Sequence, residues 1–216
     1  MTNRVLVPDR YLTSVLQIRA DWLKSEGIEA LLIDIDNTLV SRDTHEVHAL
    51  VRAWVTLLKN QGFKLFLVSN NWHQTVIQTA RDLGLPIFHK SLKPLPINFL
   101  RALSHLGVKR KNALVVGDQI MTDILGAKLA GLRSVLVMPL TETDLTHTVL
   151  LRKVEKILLG NRLPEAPATF TDLGQFVADG VWQLKTRKTE QREEMRGFSE
   201  QDPVDPLRPD AITQAQ

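Results

Sequence analysis

Two aspartates one residue apart, Asp34 and Asp36, follow the apolar run Leu31-Leu32-Ile33 and precede Asn37-Thr38-Leu39. An ionised carboxylate is costly to bury unless it is paired or binds a cation. Two of them at the end of such a run therefore need a chemical reason. Residues i and i+2 of a strand face the same side, so both carboxylates can reach the crevice where open α/β sheets bind ligands. A helix cap accounts for Asp36 or Thr38 but not for Asp34. Other apolar runs end in the same way. Residues 63–68 lead to Ser69-Asn70-Asn71, residues 86–89 are followed by Lys93, and residues 113–116 open into Gly117-Asp118, with Asp123 one helical turn on. Singly, Ser69 reads as a cap, Lys93 as a solvated lysine and Asp123 as a cap or salt-bridge partner. Their joint occurrence at successive strand ends is what carries weight.

These residue types suit phosphoryl chemistry. Asp34, Asp36 and Asp118 offer hard oxygen ligands of the kind Mg²⁺ prefers. A carboxylate can attack phosphorus and form an aspartyl phosphate. Asp36 is placed to protonate a leaving alkoxide and then to take a proton from water. The Ser69 hydroxyl, with backbone N–H groups at a helix start, can hold phosphate oxygens. Lys93 supplies fixed positive charge. The chain has no cysteine, which excludes disulfides, thiolate zinc sites and a cysteine nucleophile. His45, His48, His73, His89, His105 and His147 show no ligand spacing and read as surface or loop residues.

The elements that must position these groups alternate. Strands are expected at 31–33, 63–68, 86–89, 113–116 and 133–137. Helices are expected at 46–60, 72–83, 96–106, 120–130 and 144–159, several of them stopped by glycine. Short joints between alternating strands and helices mean a parallel sheet covered on both faces. The 216 residues carry net charge +3 with 44% hydrophobic content, a globular composition with only a mild basic bias. Residues 1–29 read as a helical lead-in, with Leu12, Val15, Leu16 and Ile18 packed on the sheet edge. The alternative is that this apolar and basic stretch forms a surface for a lipid or a partner. Residues 30–162 form the core. From Leu163 the prolines increase; 163–216 read as an extension with an amphipathic helix over 171–196 and a disordered end. No run is long enough to span a membrane and no signal-peptide core precedes the lead-in, so a cytoplasmic location is expected.

On these residues the chain resembles the phosphatases of the haloacid dehalogenase (HAD) superfamily. Asp34-Ile35-Asp36-Asn37-Thr38 matches the DxDxT motif, Ser69-Asn70 the second motif, Lys93-Pro94 the third and Gly117-Asp118 through Asp123 the GDxxxxD fourth. The resemblance implies a three-layer, Rossmann-like α/β fold with a central parallel sheet. It makes Asp34 the nucleophile and Asp36 the general acid/base. Mg²⁺ would sit on the Asp34 side chain, the Asp36 carbonyl and the Asp118 side chain, with Asp123 acting through water or by orienting Asp118. Thr38, Ser69, Asn70 and Lys93 would bind substrate. Pro8-Asp9-Arg10-Tyr11 with Ser14, Val68 to Asn71, the Lys93-Pro94 pair, and Gly117 to Gly126 narrow the resemblance to the subclass IIIA group called the YqeG family, related to phosphatidylglycerophosphate phosphatases. The tail after Leu163 departs from that group's short members.

The intervals Val40–Gln61 and Asn71–Ser91 leave no room for a cap domain. An open site is therefore expected, able to take a phosphomonoester carried on something large. A lipid at a membrane, touched peripherally from the inner face, is the leading candidate; nucleotides, sugar phosphates and phosphoproteins are the alternatives, and nucleic acid is not expected. A binding protein on the same scaffold is a separate reading. A phospho-receiver domain is disfavoured, because its phosphorylated aspartate lies on a mid-chain strand and not in an Asp-x-Asp pair on the first.

Overall fold

The protein is described here by a computed structural model covering residues 6–41, 46–140 and 163–165. The proposed helices over 144–159 and 171–196, and the tail to Gln216, lie outside the described residues. Six parallel strands, β1 (Arg10–Leu12), β2 (Ala30–Ile33), β3 (Lys64–Val68), β4 (Ile87–Phe88), β5 (Ala113–Gly117) and β6 (Arg133–Val137), form one sheet in the order β1-β6-β5-β2-β3-β4. Between them run α1 (Ala20–Ser25), α2 (Ala49–Asn60), α3 (Gln74–Leu83), α4 (Ile97–Leu106) and α5 (Leu125–Leu129). This is the expected α/β architecture with a central parallel sheet, and no cap domain is present among the described residues. No described helix is long and apolar enough to cross a membrane.

Sheet order follows from burial. All four residues of β2 and all five of β5 are buried, as strands covered on both faces must be. Leu32 of β2 sits level with Phe66 and Val115, and these three pack against Phe99 and Ala102 of α4 and Ala127 of α5. On α2 the apolar stripe buries Val51, Trp54, Val55 and Leu58. The Trp54 indole donates to the Ile18 carbonyl at 2.9 Å, which ties α2 to the N-terminal segment. From β2 the chain passes through β3 to the β4 edge, then crosses to β5 on the other flank of β2. The switch in direction therefore falls beside β2, where such sheets bind ligands.

The lead-in differs from its sequence reading. Arg10–Leu12 is not helical but adds an edge strand to β6. Ser14 and Gln17 form a capping box that starts a single 3₁₀ turn at Val15–Gln17, so the preceding residues stay extended. Asp9 anchors the strand, its carboxylate accepting from the Ser134 amide at 2.7 Å and from Lys128 at 2.8 Å. Leu12, Val15 and Ile18 are buried in the core, so this segment is no surface for a lipid. The Asp34-bearing strand is therefore second in the chain and central in the sheet. Helix α2 begins at Ala49 and not at Glu46, because Val47 bridges back to Val40.

Candidate active site

The loop after β2 sets the first two carboxylates. The Asp34 amide donates to the Val116 carbonyl at 2.9 Å, which carries the pairing of β2 and β5 one residue past Ile33. The chain then folds back on itself. Thr38, Leu39 and Val40 amides all reach the Ile35 carbonyl, and Asn37 takes a left-handed conformation (φ 62°) that asparagine tolerates. Asp34 is thereby buried and Asp36 half-buried, and the two carboxylates face different partners. Asp36 accepts from the Ser69 hydroxyl at 3.3 Å and from the Asn71 amide group at 3.0 Å. Asp34 accepts from Lys93 Nζ at 2.5 Å and lies 3.4 Å from the Thr38 hydroxyl.

Lys93 is the hinge of the cluster. Its side chain is 3% exposed and bridges Asp34 and Asp123, with Nζ 2.6 Å from Asp123 Oδ1. Asn70 holds it there: the Asn70 carboxamide donates to the Lys93 carbonyl at 2.9 Å and accepts from the Lys93 amide at 2.6 Å. The Asn70 carboxamide, expected at the substrate, is engaged here with the Lys93 backbone. Ser69 is buried beside Asp36, but α3 begins only at Gln74. The Asn71 amide donates to the Ser69 hydroxyl at 3.0 Å.

Asp123 reaches the cluster by a local distortion. Residues Ile120–Ile124 form a π-helical turn, in which the Asp123 and Ile124 amides share the Gln119 carbonyl. Such turns recur at functional sites. The turn folds the Asp123 carboxylate back over Gly117, where it also accepts from the Gln119 amide at 3.2 Å. A β-carbon on Gly117 would lie 2.3 Å from the Asp123 carboxyl carbon, and one on Gly126 would lie 2.7 Å from a Phe99 ring carbon and 3.3 Å from Pro94 Cα. Both glycines are required by close approach. The first seats Asp123; the second seats α5 against the loop that carries Lys93. Sequence reasoning missed Asn71 and these two steric roles. The glycine directly before Asp118 was the available signal.

Asp34, Asp118 and Asp123 each present a buried carboxylate oxygen, and these three oxygens lie within 4.8 Å of one another. The Asp36 side chain is outside this triad. Three buried carboxylates against one ammonium leave negative charge that the interior does not tolerate. Burial pushes the Asp34 pKa up to about 7; Lys93 opposes the rise, while Asp123 and Asp36 add to it. Burial alone would lower the Lys93 pKa, but Asp123 and Asp34 outweigh it and hold the lysine charged above its ordinary value. An all-oxygen, net-negative, buried donor set fits a hard divalent cation.

A parallel sheet with its switch point at β2, an Asp-x-Asp loop there, and a lysine bridging the first aspartate to a third defines a class of hydrolase. The chain matches the family model "haloacid dehalogenase-like hydrolase" over residues 5–131. It belongs to that family. Within the family it is 31% identical to "Probable phosphatase YqeG" of Bacillus subtilis (strain 168) over 159 residues, covering 74% of this chain and 92% of that protein. It is 33% identical to the pyrophosphatase PpaX of Halalkalibacterium halodurans over 92 residues, which span 38% of this chain and 42% of PpaX. Among solved structures, a HAD phosphatase from Thermococcus onnurineus aligns with TM-score 0.46 and 19% identity, covering 63% of this chain and 100% of that one.

Gly117→Ala tests the seating of Asp123. The added methyl group has to displace the carboxylate. Divalent-cation affinity should fall about 10- to 100-fold, and stability should drop by about 1–3 kcal/mol from overpacking. Calorimetric titration with Mg²⁺ and a thermal melt measure the two effects; unchanged affinity would mean that Asp123 does not support the cation site.

Proposed function

We propose that the protein is a Mg²⁺-dependent phosphomonoester hydrolase that works through an aspartyl phosphate on Asp34. The single observation that carries this reading is the division of labour between the paired aspartates. Asp34 lies buried against Lys93 and the acidic triad, whereas Asp36 is half-buried and hydrogen-bonded to Ser69 and Asn71. Asp34, Asp118 and Asp123, with the Asp36 carbonyl, would hold the cation, which when bound screens the charge of the phosphoryl group against the carboxylate. An Asp34 oxygen forms a bond to phosphorus as the ester oxygen leaves, and Asp36 gives its proton to that oxygen. Asp36 then takes a proton from the attacking water, phosphorus–oxygen cleavage frees Asp34, and inorganic phosphate departs. Lys93 holds the Asp34 carboxylate in place and balances charge, and the hydroxyls of Thr38, beside Asp34, and of Ser69, beside Asp36, would contact phosphate oxygens.

The preferred substrate in this reading is the lipid phosphatidylglycerophosphate, met from the cytoplasm at the inner membrane face. The resemblance to YqeG-type proteins supports it, as does the absence of a cap among the described residues between Thr38 and Lys93, which leaves the site open to a phosphate on a large carrier. The test is phosphate release from a panel holding this lipid in detergent, p-nitrophenyl phosphate, sugar phosphates and nucleotides. Release should need Mg²⁺ and fall to background with a chelator. Chelator-resistant release would reject the cation. Preference for a soluble ester would reject the lipid, and no release from any ester would leave a binding protein on this scaffold.

A further inference from the structure

Among the described residues, several of the large apolar side chains that remain exposed lie on one edge of the molecule, while Leu129 and Leu163 are exposed outside this group. Trp72 (65% exposed), Leu92 (59%), Leu95 (50%), Ile97 (59%) and Leu140 (44%) all follow the carboxyl ends of strands, on the edge that carries Asp34. Four of them belong to loops, and Ile97 opens α4; these loops are joined to one another and to the site. The Lys90 amide donates to the Asn71 carbonyl at 3.3 Å and the Ser91 amide to the Ser69 carbonyl at 3.0 Å; the Leu140 amide donates to the Asn37 carbonyl at 3.0 Å. Lys90 Nζ lies 4.9 Å from the centre of the Trp72 ring. The apolar rim therefore brackets the catalytic loop from two sides.

Leu92 shows that this exposure is not incidental. Its φ is +54°, a conformation that glycine or asparagine holds at lower cost than a bulky residue. Neither burial nor backbone preference explains a leucine there, and a strained residue beside a site points to a function. Charge identifies what the rim meets. From Ser69 to Ala80 and from Pro86 to Leu100 the chain has two lysines and no aspartate or glutamate, and Lys90 is the exposed one. In these two segments, exposed tryptophan and leucine with a cation and no acid suit the interface of an anionic bilayer, where the indole sits at headgroup level; Leu140, followed in sequence by Glu142 and Asp144, lies outside these acid-free segments.

We propose that Trp72, Lys90, Leu92, Leu95 and Ile97 dock the active edge onto an anionic lipid surface, so that a phosphate ester enters the site without leaving the membrane. This deepens the phosphatase reading and rests on it for the role of docking, while docking itself is measured without turnover. The full chain, without metal, is floated with vesicles of phosphatidylglycerol and phosphatidylcholine, or of phosphatidylcholine alone. The wild type should float with the anionic vesicles. Trp72→Ser/Leu92→Asn/Leu95→Ser should cut the bound fraction about tenfold or more. Leu92→Asn alone, which relieves the backbone, should bind less while melting no lower than wild type. Hydrolysis of soluble p-nitrophenyl phosphate should be unchanged in both variants, which separates failure of docking from failure of catalysis. Wild type that stays unbound, variants that bind as well as wild type, or equal binding to the two vesicle types would overturn the proposal. So would a dimer that the triple variant splits while vesicles are ignored, because a second copy would then cover the rim.

Discussion

Asp34→Asn is expected to abolish phosphate release, by on the order of 10⁴-fold or more, while the metal-free protein melts no lower than wild type. The two effects have one cause. Burial and the neighbouring Asp123 and Asp36 disfavour the negative charge on Asp34, and Lys93 offsets them only in part. An asparagine keeps an acceptor oxygen for Lys93 and removes the charge. In the proposed mechanism it also removes the nucleophile, which no neighbouring group replaces: Asp36 faces Ser69 and Asn71, and Asp123 is held by Lys93 and the Gln119 amide. Phosphate release and thermal melts on the same preparation measure both. A variant that keeps turning over would remove Asp34 from the nucleophile's role, and a large loss of stability would mean that its charge supports the fold.

The pH dependence of stability follows from the same carboxylate. Its pKa is about 7 in the fold against 3.8 for the ordinary group. Between those values the folded protein keeps a proton that the unfolded chain has released. Stability of the metal-free protein therefore falls as pH rises from about 4 to about 7, and this contribution is flat above that window. Asp34→Asn lacks the fall. A divalent cation, which favours the ionised form, should raise the melting temperature of the wild type more at pH 8 than at pH 5.

Much of this site was legible because parallel strands align their ends. Once β2, β3 and β5 are read from apolar runs, Asp34, Ser69 and Asp118 must share an edge; Asp36 lies beside them because the loop after β2 folds back, and not through strand alternation. Three features were not legible, each for a physical reason. Strand β1 has three residues, too few to show a period of two, and the helix-like spacing of Leu12, Val15 and Leu16 arises from an edge strand running into a 3₁₀ turn. The π-helical turn at Ile120–Ile124 is hidden because Ile120, Ile124 and Ala127 fit an ordinary helix equally well, yet it is what folds Asp123 back over Gly117. The clamp of Asn70 on Lys93 was hidden because its partners are backbone atoms 23 residues away in the chain, and no spacing rule announces such a contact.

Lys93→Met should be the most damaging single change to the fold. Lys93 is the ammonium that bridges Asp34 and Asp123, and all three side chains are less than one-tenth exposed. Replacing a buried pair by apolar groups can be harmless, but deleting one partner leaves the other charges uncompensated, at a cost of about 3–5 kcal/mol. Here two carboxylates are left facing each other. The cost should be largest at pH 8 and smaller near pH 5, where Asp34 takes a proton and the repulsion ends. Catalysis fails for a linked reason. Without the ammonium the Asp34 pKa climbs further, so at neutral pH the nucleophile is held as the unreactive acid, and the charge facing the phosphoryl group is gone; a loss of about 10³-fold or more is expected. Denaturant unfolding at the two pH values separates this account from simple loss of packing, which would give the same cost at both. If the pH profile of residual activity also moves its acidic limb upward, the lysine acts on Asp34 through its charge; an unmoved limb would mean that it serves only to fill space.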